Sequence, residues 1–208
     1  AMSDFSCNVK ENIKRLETSL NMERNFDILQ REVIIAGRKA GFFFIDGFVR
    51  EDMAEKLMQF LYSLKESDIT SLDIFLEKGM PYTEVTRSGN VDYVITQFLS
   101  GVSIMTIDGF DECLLIDCRT YPMRSVSEPW KDRVLRGSRD GFVETLVSNA
   151  ALLRRRIRDP RFSMELYGVG RRSRSDVAIC YISDSVDQSV LNRMRQLKCS
   201  IRKRKENK

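Results

Sequence analysis

Histidine is missing altogether from the 208 residues. Its absence removes the commonest general base near neutral pH and the commonest transition-metal ligand. The five cysteines, Cys7, Cys113, Cys118, Cys180 and Cys199, include no C-x-x-C pair, so neither a zinc knuckle nor a dithiol redox motif is present. Cys113 and Cys118 are five apart on an expected strand and point to opposite faces, where they cannot easily share a metal. Their odd number reads as reduced thiols in a cytosolic compartment. Gly168-Val169-Gly170 is too short for a dinucleotide fingerprint, and no phosphate-binding G-x-x-x-x-G-K-S/T run occurs. No apolar run approaches the ~20 residues that span a bilayer, and the opening residues do not read as a signal peptide. No catalytic residue, cofactor or metal ligand is therefore assigned, and the expectation is a soluble intracellular piece that is not an enzyme.

What is present is ordinary globular composition, 42% hydrophobic and 31% charged, with an uneven charge distribution. Residues 1–124 hold 14 Lys/Arg against 20 Asp/Glu, a balance of −6; residues 125–208 hold 20 against 10, a balance of +10. Either the two halves attract each other or the basic half faces something acidic. The switch coincides with RTYPMRSVSEPWKDRVLRGS, from Arg119 to Ser138, which carries two prolines and no helical stripe. It reads as an extended linker in which Arg124 to Ser127 could add an edge strand.

Before the linker, Glu11 to Leu20 reads as a short amphipathic helix. Glu32 to Ala36 and Gly41 to Ile45 form a hairpin around Gly37, and Glu51 to Ser63 is a helix burying Met53, Leu57, Met58, Phe60 and Leu61. Asn90 precedes a helix over 91–99, and Asp108-Gly109 joins strands 102–107 and 113–117. Ile45-Asp46-Gly47-Phe48 and Ile107-Asp108-Gly109-Phe110 repeat; four residues point to shared turn chemistry rather than duplication. The aspartates at strand ends, Asp46, Asp108, Asp117 and Asp176, fit turns better than a catalytic pair.

After the linker comes a helix with Asp140 as N-cap and an apolar stripe of Val143, Leu146, Val147, Ala150, Leu153 and Ile157, ended by Asp159-Pro160. Phe162, Met164 and Leu166 then alternate with Ser163 and Glu165, as in a strand with one wet face. Gly168 and Gly170 open a turn carrying Arg171, Arg172 and Arg174, and Val177 to Ile182 is a continuous buried-type strand with Cys180 in the core. Phe142, Phe162, Tyr167 and Tyr181 mostly fall on core faces. The fold class is α/β (α+β), in two small subdomains, each a small mixed sheet with packed helices. An acidic subdomain spans 1–122, a linker 123–138, a basic helix–hairpin–helix subdomain 139–198, and a basic tail 199–208.

The same stretch resembles the GerA/SpoVAF family of spore germination proteins. Arg136, Gly137, Arg139, Asp140, Gly141 and Phe142 match the family's R-G-x-R-D/E-G-F entry. Asn149, Ala151, Leu152, Leu153, Arg154, Arg155, Arg156 and Ile157 match its N-x-A-L-I/L-R-R-R-I helix. Val169, Gly170, Arg171, Arg172 and Ser173 match its V-G-R/K-R-S/T turn, with Asp176, Val177 and Ala178 after it. Val126, Ser127, Glu128 and Pro129 resemble its S-E-P linker, and a weaker likeness reaches back to about Asn25. The family usually continues past Leu197 with an Ile/Asp-rich segment, whereas Lys198 to Lys205 here reads as a polar tail. The resemblance implies the soluble N-terminal region of a germinant-receptor A subunit or its SpoVAF-type relative, at the spore inner membrane and facing the core. It further implies B- and C-type subunits as partners, a homo-oligomer, and a parent chain with transmembrane helices. The role it implies is signal transmission, ligand sensing or subunit assembly.

The arginines are the candidate interaction or anion-binding residues: Arg171, Arg172 and Arg174 in the turn, Arg154 and Arg155 on the helix. At ~100° per residue, Arg154, Arg155 and Arg156 spread around the helix and cannot all face one ligand. One of them is expected to pair with a carboxylate of the fold and the rest to be solvated. The turn arginines can converge on an anion, although exposure alone also accounts for a charged turn. Two other functions stay open. A nutrient-binding module would need a concave site between the subdomains. A nucleic-acid binder would use the basic half, against which stands the lack of aromatics along it.

Overall fold

A computed structural model describes residues 3–49, 51–78, 84–119, 141–170 and 172–203. The larger unit is a five-stranded antiparallel sheet between helices. Helix α1 (Val9–Ser19) starts at Asn8, whose side chain accepts the Lys10 N–H, while Asp108 accepts the N–H of Val9. These bonds satisfy donors that the first helical turn leaves unpaired. Strands β1 (Ile28–Ile35) and β2 (Arg38–Ile45) form a hairpin. Then come α2 (Glu51–Ser63), a 3-10 turn at Glu66–Ile69, α3 (Leu72–Lys78), β3 (Glu84–Ser88) and α4 (Val91–Leu99). Strands β4 (Ser103–Ile107) and β5 (Cys113–Asp117) complete a sheet ordered β1-β2-β4-β5-β3.

The sheet buries both faces. Val9, Ile13, Leu16, Phe43, Ile104, Leu115 and Phe98 gather where α1 and α4 cover one face. Val33, Ile35, Phe42, Leu57, Leu61, Met105 and Leu114 gather where α2 and α3 cover the other. Central strands buried on both sides read as continuous apolar runs, as β4 and β5 do. Cys113 and Cys118 lie in opposite cores, as their spacing requires.

The smaller unit is a two-stranded sheet held between two helices. Helix α5 (Leu146–Arg156) leads into β6 (Phe162–Val169), which pairs antiparallel with β7 (Ser175–Ile182) before α6 (Gln188–Lys203). Phe162 and Met164 face α5 with Ala150, Leu153 and Ile157. Ile179 and Tyr181 face the other way, against Leu191 and Val186.

Several expectations need correction here. Helix α5 starts six residues after Asp140, which lies outside the described residues, and its N-cap position is Thr145. The delay has a cause: Asn149 clasps Val143, accepting its N–H at 2.7 Å and donating to its carbonyl at 2.7 Å, which holds residues 143–145 out of the helix. Phe142 is 67% exposed rather than core. Strand β7 is not buried throughout: Val177 is 43% exposed and Cys180 is exposed, because a two-stranded sheet has no neighbouring strands to cover its far half. In β6 Phe162 and Met164 are buried as expected, but Ser163 is buried with them and Leu166 is 42% exposed. Helix α6 runs on to Lys203, through the first residues of the expected tail. Strand β3 and helix α3 carry no strong periodicity and were not anticipated from sequence. The linker 123–138, Arg171 and residues 204–208 lie outside the described residues.

The repeated Ile-Asp-Gly-Phe string makes the same turn twice. Phe48 N–H bonds the Ile45 carbonyl at 3.1 Å and Phe110 N–H bonds that of Ile107 at 3.2 Å, with Gly47 at φ +81° and Gly109 at φ +91°. At Gly47 the missing side chain also admits α5. A Cβ there would lie 3.2 Å from the Ala151 Cβ and 3.4 Å from Val147 Cγ1. Ala151 belongs to the core of the larger unit, so the units touch at this turn. Gly47→Ala should therefore destabilise the chain by about 1–2 kcal/mol through the left-handed backbone alone, measured as a lower urea midpoint with unchanged slope.

Candidate functional site

The joint between the units is built around one arginine. Arg154 lies in the last turn of α5 with its side chain 0% exposed. Its Nε donates to Asp27 Oδ2 at 2.8 Å and its Nη2 to Asp27 Oδ1 at 2.9 Å, a two-pronged pair. Nη2 also donates to Asn25 Oδ1 at 2.9 Å and Nη1 to the Phe162 carbonyl at 3.1 Å, and the Phe162 ring lies 5.0 Å below the guanidinium. A desolvated charge survives only when paired and hydrogen-bonded in this way. Asn25 completes the knot. Its Oδ1 accepts the Met164 N–H at 3.0 Å, and its Nδ2 donates to the carbonyls of Leu20 and Asn21. Phe26 N–H bonds the Met164 carbonyl, so the residues leading into β1 pair with β6 as a short parallel strand.

Beside this knot a cavity of about 440 Å³ opens between the 3-10 turn Met22–Arg24 and β6. Met22, Phe26, Met164 and Leu166 give it apolar walls, and Glu23, Arg24, Glu165 and Arg195 give it charge of both signs. Glu165 is the acceptor of the cluster. Arg195 grips it through Nε, at 3.0 Å, and through Nη2, while the hydroxyls of Tyr181, at 2.5 Å, and Tyr167 also donate to it. Burial raises the Glu165 carboxyl, but these four donors outweigh it and bring it down to about 2. Arg24, 50% exposed, donates to the Tyr181 hydroxyl at 3.3 Å and stands 3.6 Å from Glu165. Two guanidinium groups thus share one carboxylate.

The arginines singled out from sequence separate. Arg154 is buried in the joint and has no face for an external anion. Arg155 lies exposed on α5, and Arg172 and Arg174 lie exposed at the β6–β7 turn, with Arg174 at φ +45°; Arg171 is outside the described residues. Burial pushes the Cys113 thiol up to about 12 and raises Cys118, and partial desolvation of its sulfur with the nearby charge of Asp27 raises Cys180 although its residue is exposed. Among the described residues no group of His, Cys, Asp and Glu is arranged to hold a metal ion.

A model of the Bacillus/Clostridium GerA spore germination protein matches residues 14–202. The chain belongs to that family. Stage V sporulation protein AF of Bacillus subtilis (strain 168) is 32% identical over 186 residues, covering 88% of this chain and 38% of that protein. Spore germination protein KA of the same strain is 28% identical over 185 residues, covering 86% and 34%. The chain thus spans less than two fifths of the length of these relatives. The fold is that of the crystal structure of the N-terminal domain of the A subunit of the Bacillus megaterium spore germinant receptor GerK3, with TM-score 0.73, 20% identity, and 95% of this chain and 73% of that chain covered. Among the described residues of this GerA chain, no helix is long and apolar enough to cross a membrane.

Sequence reading alone did not find Asp27, Asn25, Glu165 or Arg195. Only Asn25-x-Asp27, two polar side chains two apart ahead of an apolar strand, carries a signal, and it is weak. Breaking the knot should be costly: Arg154→Met leaves Asp27 buried and unpaired, and a loss of about 3–5 kcal/mol is expected. Adding Asp27→Leu to that variant should recover part of it, as read by urea unfolding.

The Glu165 cluster gives a pH signature. Its carboxyl is depressed in the folded chain, so its contribution is fully present above the ordinary value of about 4.3 and is lost as pH falls towards about 2. Glu165→Gln should flatten that part of the acid-side stability profile and leave the slope near neutral pH unchanged.

Proposed function

We propose that this chain is the non-catalytic N-terminal region of an A-type subunit of a spore germinant receptor, or of its stage V sporulation AF-type relative. Membership of the GerA family ties it to spore germination. In this reading the parent protein is embedded in the spore inner membrane with this region facing the core, and it works with B- and C-type subunits and further copies of itself. The observation that carries the proposal is the joint. A family-signature arginine locks two units through Asp27 and Asn25, so that displacement of one unit is passed to the other. Such a coupling suits transmission or assembly, and it needs neither a nucleophile nor a metal.

A specific observation also favours ligand sensing. The cavity beside the joint sets the convergent charged groups of Arg24, Glu165 and Arg195 beside Met22 and Phe26, polar handles of the kind that orient a bound small molecule. A nutrient bound there would touch both units at once.

Spores deleted for the native gene are expected to germinate more slowly with nutrients than the parent strain, and to recover with the wild-type gene. Spores carrying Arg172→Glu and Arg174→Glu should be slowed at normal protein levels. Parental germination in the deletion strain, together with no co-purification of other receptor subunits, would overturn the proposal. For ligand sensing, thermal-shift screening with amino acids, sugars and nucleosides should raise the melting temperature of the wild type but not of Arg24→Ala; no shift with any of them removes that reading.

A further inference from the structure

Strand β6 offers an open edge that is already half used for strand pairing. The bond from Ser183 N–H to the Arg161 carbonyl fixes the phase of the ladder, in which Arg161, Ser163, Glu165 and Tyr167 bond towards β7. In an antiparallel pair the intervening residues direct N–H and C=O away from the partner strand. The first two of these outward positions are occupied: the Phe162 carbonyl takes Arg154, and Met164 takes Phe26 and Asn25. The next two, Leu166 and Gly168, have no such partner among the described residues. They continue the line of the existing parallel bridge at a repeat of about 6.6 Å. Leu166 is also 42% exposed, and a Cβ at Gly168 would meet nothing within 4 Å.

The surroundings of this edge specify charge. Arg24 stands half-exposed over the cavity with only a share of Glu165, which Arg195 already engages from two sides. Arg172 and Arg174 are exposed where the edge ends. Beside Leu166 the cavity lining mixes Met22, Phe26 and Met164 with charged groups of both signs. A strand lying here would meet two backbone rungs with no partner among the described residues, apolar side chains at Met22, Phe26 and Met164, and the four guanidinium groups of Arg24, Arg195, Arg172 and Arg174 against the three carboxylates of Glu23, Glu165 and Asp176.

We infer that the β6 edge docks an extended acidic segment of a partner protein, with carboxylates and apolar side chains alternating, by addition as a third strand. Backbone bonds to Leu166 and Gly168 give affinity, and Arg24 with the turn arginines gives selection for acid. This goes beyond the germination reading and does not depend on it, because it rests on the backbone rungs of β6, whether or not a small molecule competes for the cavity.

The test uses the chain as it stands and a fluorescent synthetic peptide of alternating glutamate and valine, followed by anisotropy. Saturable binding is expected, weakened roughly tenfold in Arg24→Glu, the scale of one charge-assisted contact. Methylating every second peptide nitrogen, on the side that faces β6, should abolish it while leaving all charges in place. Leu166→Pro should do the same from the protein side, because its N–H points away from β7 and its loss spares the hairpin ladder. Should Leu166→Pro unfold, the methylated peptide still decides. Absence of binding to the wild type, or equal binding of the methylated peptide, overturns the inference.

Discussion

The buried guanidinium of Arg154 is the constraint to which the rest of the architecture answers. A charge with no exposed surface must find its whole solvation inside the protein, and here that takes a carboxylate, a side-chain amide, a carbonyl and an aromatic face together. Those groups come from the turn before β1 and from the start of β6, so satisfying one side chain fixes the two units against each other. Apolar contacts accompany it, with Ala151 meeting the turn at Gly47 and Phe26 packing against Phe162 and Met164. A polar knot of this kind supplies direction that apolar packing alone does not: only one placement of α5 completes all of its bonds.

The paired turns explain how the larger unit presents its side of the knot. Asp46 N–H bonds the Asp27 carbonyl, so the first Ile-Asp-Gly-Phe turn holds the backbone of the residue whose carboxylate receives Arg154. The second turn performs a comparable task for α1: Asp108 caps Val9 and Gly109 N–H bonds the Cys7 carbonyl. Both turns need a glycine with positive φ, and both anchor a segment that is remote in sequence.

Legibility in the sequence followed the strength of the local signal. Helices α2 and α4, and both hairpins of the larger unit, were readable because apolar period, Asn90 and the Asp-Gly and Gly turns agreed with one another. Strand β3, at the sheet edge with the pattern exposed and half-buried, had no such agreement. The smaller unit was readable in element order but not in burial. A two-stranded sheet between two helices covers Phe162 and Met164 and leaves Leu166 and Cys180 out, although all four suit a core strand equally well. The site was less legible still. That one arginine of the helix-end triplet pairs within the fold follows from helix geometry, but its partners lie over a hundred residues away, and nothing local distinguishes Arg154 from Arg155.

The uneven charge of the chain is not resolved at the joint. Of the two ion pairs described across it, Arg154 with Asp27 takes a cation from the basic half, and Arg24 with Glu165 takes one from the acidic half. Each pair removes one charge of each sign, and their opposite polarity leaves the balance of each half as it was. Attraction between the halves therefore does not account for the excess of +10 in residues 125–208. That excess stays on the surface, in part at Arg172 and Arg174, at a short screening length in cellular salt. A field of that range acts on what is docked rather than on what is distant. The arginines thus divide by depth: buried Arg154 holds the fold together, and Arg172 and Arg174 lie exposed at the β6–β7 turn, on the surface that the basic half presents.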